Sequence, residues 1–273
     1  MNTIKAILVL SLPLALSGCL ENKKNTDKLC ADNPALQCER LNVNDGQCRI
    51  PRTDLIWHRF EVLKDPTPVN KIEEYNLTSA YRKCLELASQ IQAIDQADLK
   101  QRRVNALVNA GEDLKRIATE LRNQRTPESL YFLWSQEGDH KARREFLQLE
   151  GKPELETAEL QYALATFYTS RDREKTIILL NHALELSKPD NINTEILKSL
   201  ASNYHASGDK EHAYVWAMVG KEYDVPIASE SELALMYGFD EEKFEKLDDI
   251  AETVVKLIKE GQYRKSIVPN SLK

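Results

Sequence analysis

An all-α fold, a helical-repeat solenoid preceded by a helical hairpin and a disulfide-stapled amino-terminal segment, follows from three features of this sequence. A short pattern (an apolar residue, a small or aromatic one, two free positions, an aromatic) occurs four times: Leu130-Tyr131-x-x-Trp134, Leu164-Ala165-x-x-Tyr168, Leu200-Ala201-x-x-Tyr204 and Leu233-Ala234-x-x-Tyr237. The first positions are 34, 36 and 33 residues apart, the length of a helix, a turn and a second helix. An acid at a turn-like place follows each copy, Asp139, Asp172, Asp209 and Asp240, and an apolar helical stretch follows each acid. The third feature is an even set of cysteines, Cys30, Cys38, Cys48 and Cys84, confined to the first third of the chain.

Residues 1–18 read as a secretory signal: Lys5, then an apolar run from Ala6 to Leu16 broken only by Ser11 and Pro13. That run is too short to span a bilayer. Its end, Leu16-Ser17-Gly18-Cys19, resembles the lipobox of bacterial lipoproteins. The resemblance implies cleavage before Cys19 and lipidation of its thiol, a tether to the membrane rather than a span. At about 0.8 kcal/mol per buried methylene, several acyl chains hold a protein where one does not. Leu20, rather than Asp, follows Cys19; in lipoproteins of this kind that implies delivery to the outer membrane, facing the periplasm. Residues 21–29 are polar enough to make 19–29 a flexible tether.

The cysteines of an exported chain pair by default. Four allow three connectivities; Cys30–Cys38 with Cys48–Cys84 is favoured, because the first pair brackets the turn segment Asp32-Asn33-Pro34. A zinc site needs tight C-x-x-C pairs, which the sequence lacks, so no metal is expected. Within 30–125, Asn33-Pro34, Asn44-Asp45-Gly46 and Pro51 predict irregular chain up to residue 52. Thr53 is placed to cap a short element, helix or strand, with Leu55, Ile56, Phe60 and Leu63 on one side, ended by Pro66 and Pro68. Leu77, Tyr81, Cys84, Ala88 and Ile91 form one helical stripe; after a turn at 95–98, Leu99, Leu107, Ala110, Leu114, Ile117 and Leu121 form another. Two such helices with a short connection form an antiparallel hairpin. Lys100 to Arg103 suggests a headgroup or phosphate patch, but Asp98, Glu112 and Asp113 dilute it.

The repeats occupy 126–261. Thr126-Pro127-Glu128 is a helix start, with Thr as cap and Pro at the first helical position. Pairs are expected at about 127–151, 156–187, 194–224 and 229–261, and residues 262–273 as a ragged tail. The copies resemble the tetratricopeptide pattern L-G-x-x-Y with small residues in the second helix; the third matches best, through Ala201, Tyr204, Ala213, Ala217, Gly220 and Pro226. A Sel1-like repeat looks much the same. Leu133–Asp139 and Leu160–Tyr168 also resemble an uncharacterised family of gammaproteobacterial lipoproteins with a domain of unknown function, which implies no activity.

With 273 residues, 42% hydrophobic and 29% charged, the composition is globular. Loss of residues 1–18 removes one Lys and moves the net charge from −6 to −7, which makes nucleic acid an unfavourable partner. The charge is uneven: 98–145 carries ten Lys or Arg against eight acids, and 228–260 four against ten. Catalytic motifs are missing, among them H-E-x-x-H, G-x-S-x-G and dinucleotide or phosphate loops. His205, Asp209 and His212 straddle a repeat turn, with both imidazoles expected in solvent. No catalytic residue and no cofactor is therefore expected. Solenoids of the resembled class bind extended peptides or helices on the face lined by the first helix of each pair. By that resemblance the partner groove falls on Tyr162, Thr166 and Thr169, then Lys198, Ser202 and His205. The function expected is an anchored periplasmic scaffold or adaptor that holds an envelope protein or peptide. A cell-wall-acting enzyme or its activator, and a small-molecule or lipid-binding lipoprotein, are the alternatives.

Overall fold

A computed structural model describes residues 25–91, 97–269, 271 and 272. The signal segment, Cys19 and the tether up to residue 24 lie outside the described residues. Those described wind into α1 (Thr26–Asp32), α2 (Arg49–Lys64), α3 (Pro68–Ala88), α4 (Ala97–Gln124), α5 (Pro127–Glu137), α6 (His140–Leu147), α7 (Ala158–Tyr168), α8 (Arg173–Leu186), α9 (Thr194–Ser207), α10 (Lys210–Lys221), α11 (Glu230–Tyr237) and α12 (Glu241–Lys259). Strand pairing among them is limited to one antiparallel bridge, Lys188 to Asn191. The fold is all-α, as its sequence predicts.

The amino-terminal unit departs from expectation in several places. Residues 26–29, expected in the tether, belong to α1, which Asn25 caps by accepting from the Lys28 N–H at 2.9 Å. The Trp57 indole donates to Thr26 Oγ1 at 3.1 Å and lays α1 on α2. Cys30 pairs with Cys38 and Cys48 with Cys84, the favoured connectivity. Residues 53–64 are helix, and that helix starts earlier, at Arg49, with Pro51 inside its first turn, where a missing N–H costs nothing. Pro68 opens α3 rather than ending its predecessor, with Thr67 accepting from the Asn70 N–H at 3.3 Å. The predicted start at Leu77 is nine residues late because a core-facing position of the early turns is a charged residue, Glu74, only 4% exposed. The unit therefore holds three packed helices, α2, α3 and α4, rather than a hairpin of two.

Between them runs a seam of buried ion pairs. Arg59 meets Asp113 at 2.5 Å and Glu74 at 3.4 Å, and Glu74 also meets Arg116 at 3.0 Å. Arg103 grips Asp45 with two hydrogen bonds, 2.6 and 3.0 Å, and donates to the Ala88 carbonyl at 3.1 Å. Arg103 is thus interior, and no basic patch spans 100–103. Asn42 completes the knot: its backbone N–H donates to Tyr81 Oη at 3.0 Å, and Tyr81 donates to its Oδ1 at 2.5 Å.

In the repeats the four acids act as helix caps. Asp139 accepts from the N–H groups of Lys141 and Ala142, Asp172 from Lys175, Asp209 from His212 and Asp240 from Lys243, at 2.8 to 3.2 Å. Thr126, Thr157, Asn193 and Ser229 cap the first helices likewise. Gly208, at φ 80°, closes α9 in the left-handed region that glycine adopts without steric cost. Helices α5 and α6, α7 and α8, and α9 and α10 form packed pairs; α12 lies along α10. At the fourth copy Leu233 is buried, but Ala234 is exposed and Leu235 is 87% exposed, as befits the end of a stack.

Residues 262–269 are no ragged tail. Gly261, at φ 68° and with Pro189 Cγ 3.1 Å from where a Cβ would stand, turns the chain back. Tyr263 and Val268 are buried, and Tyr263 Oη donates to Asn181 Oδ1 at 2.5 Å. Three core clusters follow one another along the chain: one in the disulfide-stapled unit, one from Ile117 to Leu164, one from Ala165 to Val268.

Candidate functional site

The first helices form a row. Trp134 on α5 meets Phe167 on α7 edge to face with ring centroids 5.7 Å apart, and His205 on α9 meets Tyr237 on α11 at 6.3 Å. Tyr162 on α7 reaches Ser199 and Glu195 on α9; burial pushes its phenol up, Tyr131 and Glu195 push the same way, and the Ser199 hydroxyl partly offsets them. Tyr131, raised mainly by burial, lies beside the Thr166 hydroxyl. Three of the four repeat aromatics are set against the helix that follows them: Trp134 near Phe146 at 5.9 Å, Tyr168 under the Lys175 ammonium at 3.9 Å, Tyr204 stacked on His212 at 4.8 Å.

On that row the six residues expected to form a groove take up two neighbouring stripes. Tyr162, Thr166 and the C-cap residue Thr169 follow one face of α7 and its end; Lys198, Ser202 and His205 follow one face of α9. Tyr162 is half-buried and the other five are exposed. Their polar groups are partly engaged already. Thr166 donates to the Ala163 carbonyl at 2.7 Å, Thr169 to the Ala165 carbonyl at 3.0 Å, and Lys198 pairs with Glu195 at 2.7 Å. A ligand meeting this surface finds methyl groups, one phenol edge, a hydroxyl and an imidazole rather than a charged trap.

Beside the stripes lies a feature the repeat pattern gave no hint of. A hollow of about 310 Å³ opens between α3, α5 and the start of α7, lined by Val69, Ile72, Tyr131, Phe132 and Leu160 with Glu128 and Glu159 at its edge. Val69 is 60% exposed, so α3 leaves apolar surface there uncovered. The signal lay in residues 69–76, which sequence reasoning left outside any helix. A larger hollow, about 580 Å³, between α3 and α4 is lined by Arg82, Glu86, Glu112, Lys115 and Glu137, and its charges are mixed in sign.

His205, Asp209 and His212 are not a solvent-facing trio. His205 is exposed, but His212 is 4% exposed and has an oxygen within 2.8 Å of each ring nitrogen. Among the described residues no cluster of His, Cys, Asp and Glu fits a metal ion. No described helix is long and apolar enough to cross a membrane. The two disulfides fit an oxidising, extracytoplasmic compartment.

The model of a family described as "Protein of unknown function (DUF2989)" matches residues 16–218, about three-quarters of the chain, and the protein belongs to that family. No curated protein and no solved structure matches it.

Proposed function

We propose that this member of the DUF2989 family is an adaptor, tethered through lipidated Cys19 to the periplasmic face of the outer membrane, whose tetratricopeptide-like first-helix row holds an extended peptide or a helix of an envelope protein. The observation that supports it is the pair of neighbouring stripes, Tyr162-Thr166-Thr169 on α7 and its C-cap and Lys198-Ser202-His205 on α9, five of whose six side chains stand in solvent. Such a row presents side chains at regular intervals to a ligand lying across it. The apolar hollow at Val69, Ile72 and Phe132 extends the row and has the volume for one or two large apolar side chains of that partner. The two disulfides and the Leu16–Cys19 tetrapeptide support the compartment and the anchor.

Crosslinking and affinity capture from native membranes test the reading, with Lys198→Glu and Ser202→Glu on the row and Glu252→Lys on α12 as a control. One envelope protein captured by the parent and the control, and lost with the row variants, is the expected result. Capture that survives both row variants refutes the adaptor role. Mass spectrometry of the mature amino terminus tests the anchor separately; an unmodified Cys19 refutes it.

A further inference from the structure

His212 lies against the carboxy-terminal segment, its ring set between two hydrogen-bond acceptors. The ring is nearly buried, stacked on Tyr204 with planes 17° apart. Its Nδ1 lies 2.8 Å from Asp209 Oδ2 and its Nε2 2.8 Å from the carbonyl oxygen of Pro269. A carboxylate and a prolyl carbonyl only accept. A neutral imidazole carries one N–H, so one of those short contacts then sets lone pair against lone pair; an imidazolium donates to both. We propose that His212 is a proton-sensitive clasp: with the ring charged, residues 263–269 are held across α8, α10 and α12, and with the ring neutral the segment is loosened. The proton comes from solvent and no covalent bond changes.

The segment and the chain just beyond it have three other attachments that bear on the test. Tyr263 Oη donates to Asn181 on α8, the Lys265 N–H donates to Glu185 Oε1 at 2.6 Å, and the Lys243 ammonium on α12 meets the Leu272 carbonyl. Lys243 also lies 3.9 Å from Glu211 on α10, so the charges around the clasp are Asp209, Glu211, Lys243 and Glu185. A second histidine is near: His182 Nδ1 is 3.6 Å from the other oxygen of Glu185. Loosening the segment uncovers the apolar seam it seals, where Tyr263 meets the buried Trp216 at 5.9 Å. This inference stands apart from the adaptor reading, because the clasp is on second helices and its test needs no partner.

Hydrogen exchange read by mass spectrometry on the full exported chain, at pH 5.5 and 8.0 and corrected for intrinsic rates, measures the hold on 263–269. The expected change is about fivefold less protection at pH 8.0, the equivalent of roughly one hydrogen bond. Asp209→Asn is the decisive variant. Asn caps helices as well as Asp does, its oxygen still accepts from the His212 N–H, and its amide donates to an unprotonated Nδ1, which frees the single ring proton for Pro269. Protection in Asp209→Asn is therefore expected to be equal at both pH values, while His182→Gln keeps the parent's difference. Equal protection of the parent at both pH values, an unaltered difference in Asp209→Asn, or loss of the difference in His182→Gln overturns the proposal. So do ¹⁵N shifts of the His212 ring that stay constant across that pH range.

Discussion

At Asp45 the carboxylate takes two hydrogen bonds from one guanidinium, and Arg103 is the main reason its pKa is lowered to about 2. Burial works against Arg103, and the Gln47 N–H and the Asn42 amide add to the lowering. A carboxyl depressed in the folded state contributes stability that is complete above its ordinary range and is lost as pH falls through the folded value. Between about pH 4 and pH 2 this one group accounts for roughly 2 kcal/mol. Urea unfolding followed at pH 7, 4 and 2 is expected to show that loss, and Asp45→Asn to flatten it while lowering stability at pH 7 by about 3 to 5 kcal/mol, because Arg103 is left buried without its counter-charge. Asp45 was readable as a turn former beside Gly46, and it is one. Its partner was not readable: 58 residues separate the two, and a basic run at 100–103 looks the same whether its third member faces water or the interior. The repeat acids were legible in type and place, as turn residues between an aromatic and an apolar stripe, while their capping bonds were not. Asp172→Ala is expected to lower stability by about 1 kcal/mol, seen as a small shift in the urea midpoint.

Among elements, the pairs α5/α6, α7/α8 and α9/α10 were set by the spacing of small and aromatic residues, and packing explains why. Ala165, 1% exposed, stands in the third core cluster where α7 meets its neighbours. Ala165→Leu is expected to destabilise by about 1 to 3 kcal/mol through overpacking, whereas Ala234→Leu, at the exposed small position of the fourth copy, is expected to be nearly neutral; thermal melts of the two decide it. That contrast also marks where the repeat pattern overreaches. The fourth copy repeats the motif, yet α12 packs along α10 and α11 closes the row, so sequence periodicity ran one unit past the closed pairs. The three-helix unit was less legible. Its helices bury Arg52, Arg59, Glu74, Arg103 and Asp113 beside aliphatic residues, and a stripe interrupted by charges reads as a surface unless the pairs are known. The disulfides were easier, since Cys30 and Cys38 bracket the turn segment Asp32-Asn33-Pro34. Opening Cys48–Cys84, which spans 36 residues, is expected to lower stability by about 4 kcal/mol on the loop-entropy estimate, and Cys30–Cys38 by less, measured as separate Cys→Ala pairs.

Over the whole molecule the three clusters are joined edge to edge rather than merged, Leu179 touching both the second and the third. A chain so arranged behaves as a line of neighbours, with each unit stabilised by those adjacent to it. The three tryptophans report on it: Trp57 lies on α2, Trp134 packs on the second cluster and Trp216 is buried in the third. Leu247, 1% exposed on α12, belongs to the third cluster alone. Leu247→Ala removes a buried aliphatic side chain at about 2 to 5 kcal/mol, and in a linear stack that loss falls first on its own cluster. Single-tryptophan versions made by Trp→Phe at the other two positions follow each cluster separately in urea. The midpoint seen by Trp216 is expected to fall well below the parent's, that of Trp134 to fall slightly, and that of Trp57, held by two disulfides and the ion-pair seam, to stay. Equal shifts at all three would mean that the clusters unfold as one, and the carboxy-terminal clasp would then be coupled to the entire chain rather than to the end it seals.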